Sequence, residues 1–175
     1  MRAATAEPRR PRALPWALLA GLIYAAAPAA LAEGDEPPPA ARRGAIITIK
    51  GEINNILRDS LARRIEQAQA DGVDVLIFEM DTPGGMLSSG LDICKMIKDV
   101  PDGIHTVAWV NPDAISAGAM IAVACREIVM APFGKIGDCA PIVIGGELGD
   151  VEREKVETYI RAEFTTSAER NGHSV

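Results

Sequence analysis

The chain reads as an α/β domain organised around a mainly parallel sheet. Apolar, β-branched runs recur at Ala45–Ile49, Val73–Phe78 and Thr106–Val110, segments of helical periodicity alternate with them, and turn residues punctuate the junctions. Strand–helix units in series favour parallel strands joined by helical crossovers.

Each element has its own justification. Ala45–Ile49 is a strand run, and Lys50–Ile53 is its exit. Asn54 or Asn55 then caps a helix in which Ile56, Leu57, Leu61, Ile65 and Ala68 form the apolar stripe, with Arg58, Asp59, Arg63, Arg64 and Glu66 facing outward. Asp71-Gly72 ends it. Val73–Phe78 is almost continuously apolar, as expected of a strand covered on both faces, and leads into Asp81-Thr82-Pro83-Gly84-Gly85. Leu87, Leu91, Cys94 and Ile97/Lys98 outline a second helix, closed at Val100–Gly103. Thr106–Val110 is a buried strand, and Ala117–Cys125 is an alanine-rich apolar helix, so a turn is required between them. Glu127–Met130 is a short strand, and Ile142–Ile144 is read as a further one. From Val151 onward the pattern is helical, with Val156, Tyr159, Ile160 and Phe164 as the stripe and Lys155 at its edge.

The 175 residues suffice for one sizeable core. Residues 1–32 stand apart. Arg2, Arg9, Arg10 and Arg12 precede an apolar run from Leu14 to Ala27, and Ala30-Leu31-Ala32 is a small-x-small cleavage pattern, so a secretory signal peptide is expected. The run is short of the ~20 residues that span a bilayer. Glu33–Arg43, with three consecutive prolines, is read as a linker, and residues 44–175 as the folded domain. Without residues 1–32, 14 basic residues face 23 acidic ones, against 18 and 24 in the whole chain. That balance argues against a nucleic-acid partner. Cys94, Cys125 and Cys139 lie in apolar surroundings with no CxxC spacing and read as core residues rather than disulfides or metal ligands. His105 and His173 are poorly placed for a histidine-based triad or a zinc site.

Two features carry chemistry. Ser116 stands where a strand run gives way to a small-residue helix, next to orphan backbone N–H groups and the positive end of the helix dipole, which favour developing negative charge. Most serines at such positions are simple N-caps, and both readings stand at this point. The Pro83-Gly84-Gly85 loop exposes backbone amides to close approach; alone, it is an ordinary turn.

The run Asp81–Gly85, then Ser116-Ala117-Gly118 after Pro112, then Met130-Ala131-Pro132 and Ile136-Gly137 with Pro141, resembles the ClpP-class serine proteases of the NfeD type. These are membrane-bound enzymes partnered with stomatin-like proteins. The resemblance covers Gly44 to the end of the chain and implies a ClpP/crotonase-like spiral of strand–strand–helix units. It implies a serine–lysine dyad, with the nucleophile on Ser116 and the base on Lys155, and an oxyanion hole from the backbone amides of Ala117 and of Gly84 or Gly85. A lysine serves as a general base only when neutral, a form that burial beside an apolar stripe favours. Glu152 and Glu154 would oppose this if they faced the same way. The implied enzyme is an exported serine endopeptidase, acting on apolar segments of membrane-associated proteins at the extracytoplasmic face. It needs no metal or cofactor, self-associates, and has a stomatin-like partner.

The chain also departs from the family pattern. Asp113 and Ile115 bring a charge and a larger residue near the nucleophile, and Lys135 is a rival base. The family's membrane region and small β-barrel do not follow Val175, so the domain is expected to be truncated at its C-terminus. Two other functions fit the same fold: a non-catalytic interaction module assembling with a stomatin-like protein, and a crotonase-like acyl-CoA enzyme. A secretion signal argues against the latter, since an exported protein would not meet coenzyme A.

Overall fold

The computed structural model describes residues 43–141 and 149–174. The expected signal peptide, the linker as far as residue 42, and the expected strand at Ile142–Ile144 lie outside the described residues. The elements are β1 (Gly44–Lys50), α1 (Asn55–Ala70), β2 (Val75–Thr82), α2 (Leu87–Lys98), β3 (His105–Ile115), α3 (Ala117–Ala124), β4 (Glu127–Met130), β5 (Lys135–Gly137) and α4 (Asp150–Asn171). Arg43, placed in the linker by sequence, is already tied to the sheet edge: its amide donates to Asp74 Oδ2 and its carbonyl accepts from Asp74 N at 2.8 Å.

The sheet is parallel throughout, in the order β1-β2-β3-β4, with β5 pairing the far half of β3. Strand order never reverses, and right-handed crossovers in such a sheet place every connecting helix on one face. That corrects the expectation of a β2 covered on both sides. Burial alternates along it: Leu76, Phe78, Met80 and Thr82 are buried, while Val75, Ile77, Glu79 and Asp81 are only partly so. Apolar residues on the open face made the run look continuous. The buried face joins Ile47, Ile49, Ala108, Val110 and Ala114 to Leu61, Ile65, Ile93, Cys94 and Ile97 from the helices in one core.

Asn54 is the N-cap of α1, its side chain accepting from Leu57 N at 3.0 Å. Ile56 departs from the expected stripe and is 81% exposed, because it projects about 100° or more around the helix from the face of Leu57, Leu61, Ile65 and Ala68 that packs on the core. In α4, Ile160, Ser167 and Ala168 are buried but Tyr159 is 58% exposed. The contact face of α4 is therefore rotated away from Tyr159, toward α3. Helix α3 is buried along nearly all its length because β3, α2 and α4 surround it. Ala117 packs so tightly on α2 that a Cβ added to Gly90 would meet its methyl at 2.9 Å. Among the described residues no helix is long and apolar enough to cross a membrane.

Candidate active site

Strand β3 runs past its apolar half, through a cis Asn111–Pro112 peptide, and ends at Ile115. The turn expected between Val110 and Ala117 is thus a single residue, Ser116. Its φ of 54° and ψ of −118° are those of the first central position of a type II′ turn, which glycine normally occupies. A non-glycine residue there stores about 1–3 kcal/mol of strain, and the surroundings enforce it. Ser116 N donates to Gly137 O at 2.7 Å, at the end of β5, while Ser116 O accepts from Ala119 N at 2.9 Å and Met120 N at 3.3 Å to begin α3. Ser116 Oγ makes no cap hydrogen bond. The N-cap reading therefore fails: the hydroxyl is turned away from the helix amides and left on the wall of a cavity of about 650 Å³.

The glycine loop forms the opposite wall. Gly84 has φ 98°, and a Cβ there would lie 2.6 Å from Ser116 Cβ, 2.9 Å from Ile115 O and 3.2 Å from Ser116 Oγ. Only glycine lets the loop approach the serine this closely. Both backbone groups of Gly84 are engaged, its N–H by Thr82 Oγ1 at 3.1 Å and its carbonyl by Ile53 N at 2.8 Å. Gly85 pairs with Ile53 in a parallel bridge, whose bonds run through Gly84 O and Met86 N. The Gly85 N–H consequently points away from Ile53. Among the described residues neither it nor the Ala117 N–H donates a hydrogen bond. Gly85 and Ala117, whose amides donate no hydrogen bond among the described residues, thus line the cavity together with Ser116, where the sequence left Gly84 and Gly85 equivalent.

Met86, Leu87, Ile115, Met120, Val156 and Ile160 give the cavity apolar walls, and among the described residues Glu52 and Asp138 bring charge to its lining. Cys139, partly buried on the same wall, donates from Sγ to Ser116 O at 3.6 Å, and burial pushes its thiol pKa up.

Lys155 is not brought to the serine. It is exposed on the second turn of α4, makes no hydrogen bond to Ser116, and does not line the cavity, although its neighbour Val156 does. Glu152 and Glu154 are likewise exposed. The rival Lys135 is paired with Asp113, Nζ to Oδ1 3.0 Å, so two of the three departing residues form one surface ion pair, while the third, Ile115, lines the cavity. His105 pairs with Glu127 at 2.9 Å, and His173 Nε2 donates to Cys125 O at 2.9 Å, so each histidine has a structural partner. Among the described residues no three His, Cys, Asp or Glu side chains converge to hold a metal. Sequence reasoning passed over Thr82. Its signal was a hydroxyl two residues before a glycine amide, the spacing of a side-chain-closed turn.

Known proteins resemble this chain in sequence and fold. The family model described as NfeD1b, N-terminal domain, matches residues 44–175. Membrane protein NfeD1b of Bacillus subtilis is 32% identical over 126 residues, 72% of this chain and 28% of its own length. The chain spans less than a third of the curated relatives that it matches first. The 1510-N membrane-bound stomatin-specific protease of Pyrococcus horikoshii, solved as a serine-to-alanine variant, aligns with a TM-score of 0.66 at 31% identity, over 74% of this chain and 64% of that one. A lysine-to-alanine variant of it, in complex with a substrate peptide, gives 0.65 at 29% identity, over 76% and 62%. ClpP1 of Listeria monocytogenes shares the fold alone, with a TM-score of 0.55 at 21% identity, over 74% and 73%. The chain belongs to the NfeD1b N-terminal domain family and has the ClpP-like protease fold.

Proposed function

We propose that this domain is a serine endopeptidase in which Ser116 is the nucleophile and Lys155 the general base. The observation that carries the reading is the strained, uncapped Ser116 on a cavity wall shared with the unbonded amides of Ala117 and Gly85. Ser116 Oγ attacks the scissile carbonyl carbon while neutral Lys155 takes its proton. The oxyanion is held by the N–H groups of Ala117 and Gly85. Lys155 then returns the proton to the leaving amine, and water releases the acyl group by the reverse sequence. Each oxyanion donor is worth roughly 3–4 kcal/mol in comparable enzymes. The relative solved with a substrate peptide as a lysine variant, and the one solved as a serine variant, support the two roles.

Since Lys155 stands exposed, the dyad forms when the first turns of α4 move toward the cavity. Only Ile160, on its first half, is buried, whereas the second half is held by Lys98, Val123, Ala124 and Cys125. The apolar cavity walls suit apolar stretches of membrane-associated proteins. The name of the 1510-N protease supports a stomatin-like protein as the target or partner. On the same reading the protein is exported, acts at the extracytoplasmic face of the membrane, and works as a homo-oligomer.

The exposure of Lys155 favours one other reading, a non-catalytic module that assembles with a stomatin-like protein. Hydrolysis of a panel of fluorogenic apolar peptides separates the two. The protease reading expects turnover that is abolished in Ser116→Ala and reduced at least ~100-fold in Lys155→Ala. Turnover that survives in Ser116→Ala contradicts it, and a wild-type protein without turnover supports the module.

A further inference from the structure

Thr82 is 1% exposed, and its hydroxyl has two partners on different segments. It donates to Gly51 O at 2.6 Å, just beyond the end of β1, and accepts from Gly84 N at 3.1 Å. Its methyl lies against the nucleophile helix, since a Cβ added to Gly118 would meet Thr82 Cγ2 at 2.6 Å. One side chain therefore touches the β1 exit, the glycine loop and the start of α3.

These contacts have a consequence for the loop amides. Peptide units are planar, so the bond from Ile53 N to Gly84 O fixes the Gly84–Gly85 unit that carries the Gly85 N–H, while the bond from Gly84 N to Thr82 Oγ1 fixes the preceding Pro83–Gly84 unit; the loop is thus held on both sides of the Gly84 Cα. Gly84 and Gly85 have φ of 98° and 153°, and glycines turn readily about both soft dihedrals. Without the hydroxyl, Gly84 N–H would lose its acceptor and the Pro83–Gly84 peptide would be free to turn about the soft dihedrals of Gly84, leaving the Gly84–Gly85 unit held by Ile53 alone and its Gly85 amide less well fixed.

We propose that Thr82 is a positioning residue: its hydroxyl orients the glycine loop so that Gly85 N–H, rather than Gly84 N–H, faces the reacting carbonyl, while its methyl keeps that loop in register with Ser116. The inference rests on the serine-protease reading. It adds a residue that touches no substrate and acts through the loop. Its chemistry separates into halves, because valine keeps the shape and loses the hydroxyl, and serine keeps the hydroxyl and loses one methyl.

The test follows the kinetics of covalent labelling by a fluorophosphonate probe, whose phosphoryl oxygen takes the oxyanion position. Wild-type protein, Ser116→Ala, Thr82→Val and Thr82→Ser are compared at increasing probe concentration. The maximal labelling rate of Thr82→Val is expected to fall about 10- to 100-fold with the probe's half-saturating concentration unchanged, and that of Thr82→Ser to stay within about threefold of wild type. Equal maximal rates in Thr82→Val and wild type overturn the inference and leave the protease reading standing. Absence of Ser116-dependent labelling in wild type sinks that reading, and the inference with it. Amide hydrogen exchange in the wild-type chain gives a second readout that holds even where Thr82→Val does not fold. Gly84 N–H should be protected and Gly85 N–H should exchange quickly; the reverse order overturns the assignment.

Discussion

The backbone of Gly84 lies against the side chain of Ser116 so closely that a Cβ on the glycine would come within 2.6 Å of the serine Cβ and 3.2 Å of its hydroxyl. Gly84→Ala must therefore displace either the loop or the serine, at a backbone φ of 98° that alanine resists. Peptidase activity should fall at least ~100-fold, with a stability loss of about 2 kcal/mol or more. Paired measurements of turnover and urea unfolding check both. An active, fully stable Gly84→Ala would mean that the loop is not set by this contact.

Asn171 closes the C-terminus of α3. Its side-chain amide donates to Val123 O at 3.1 Å, Ala124 O at 3.1 Å and Cys125 O at 3.0 Å, three carbonyls that the helix itself leaves unpaired. Asn171→Ala should lower stability by about 1–3 kcal/mol. Asn171→Asp should be worse, because it replaces the donors with a charge that opposes the helix dipole. Thermal unfolding of the two variants would show the order; an Asp variant as stable as wild type would remove the cap from the account.

Lys98 and Glu163 join α2 to α4 through a 2.6 Å ion pair with side chains only 18% and 17% exposed. Ser167 Oγ adds a 3.0 Å hydrogen bond to the same Glu163 oxygen. Removing one partner strands the other, so Glu163→Gln and Lys98→Met should each cost about 1–3 kcal/mol, and the double variant less than their sum. A double-mutant cycle by urea unfolding measures the coupling, and strict additivity would show that the pair is not energetically joined.

The residues alone place Ser116 at a strand-to-helix turn and Pro83-Gly84-Gly85 in a loop, but leave the one readable as an N-cap and the other as an ordinary turn; only the family resemblance gives them roles. What escaped was set by tertiary contacts. Strand β5 has three residues within a stretch of turn formers, and it pairs only because β3 extends far enough to meet it. Thr82 looked like the start of a loop, yet it is the last buried residue of β2. Periodicity placed Lys155 at the edge of an apolar stripe, but the rotation of α4 depends on its packing against α3, which no local pattern records.

Cys94 and Cys125 are fully buried, and burial holds both thiols protonated well above the ordinary range; the charge of Glu163 adds to this for Cys94, and Cys94 itself for Cys125. Above about pH 8.5 the unfolded chain gives up thiol protons that the native state keeps. The sign is then fixed: this contribution is complete below that pH and is lost as pH rises, at up to about 1.4 kcal/mol per pH unit for each thiol. Urea unfolding in reducing buffer between pH 8 and 9.5 should show the decline, with a shallower slope in Cys125→Ala. Equal slopes would contradict it.

The nucleophile assignment is tested most directly by peptide mapping of the fluorophosphonate adduct on the full chain. The account predicts one adduct, on the peptide containing Ser116, that is lost in Ser116→Ala and formed much more slowly in Lys155→Ala. An adduct on a different serine, or undiminished labelling of Ser116→Ala, would contradict it.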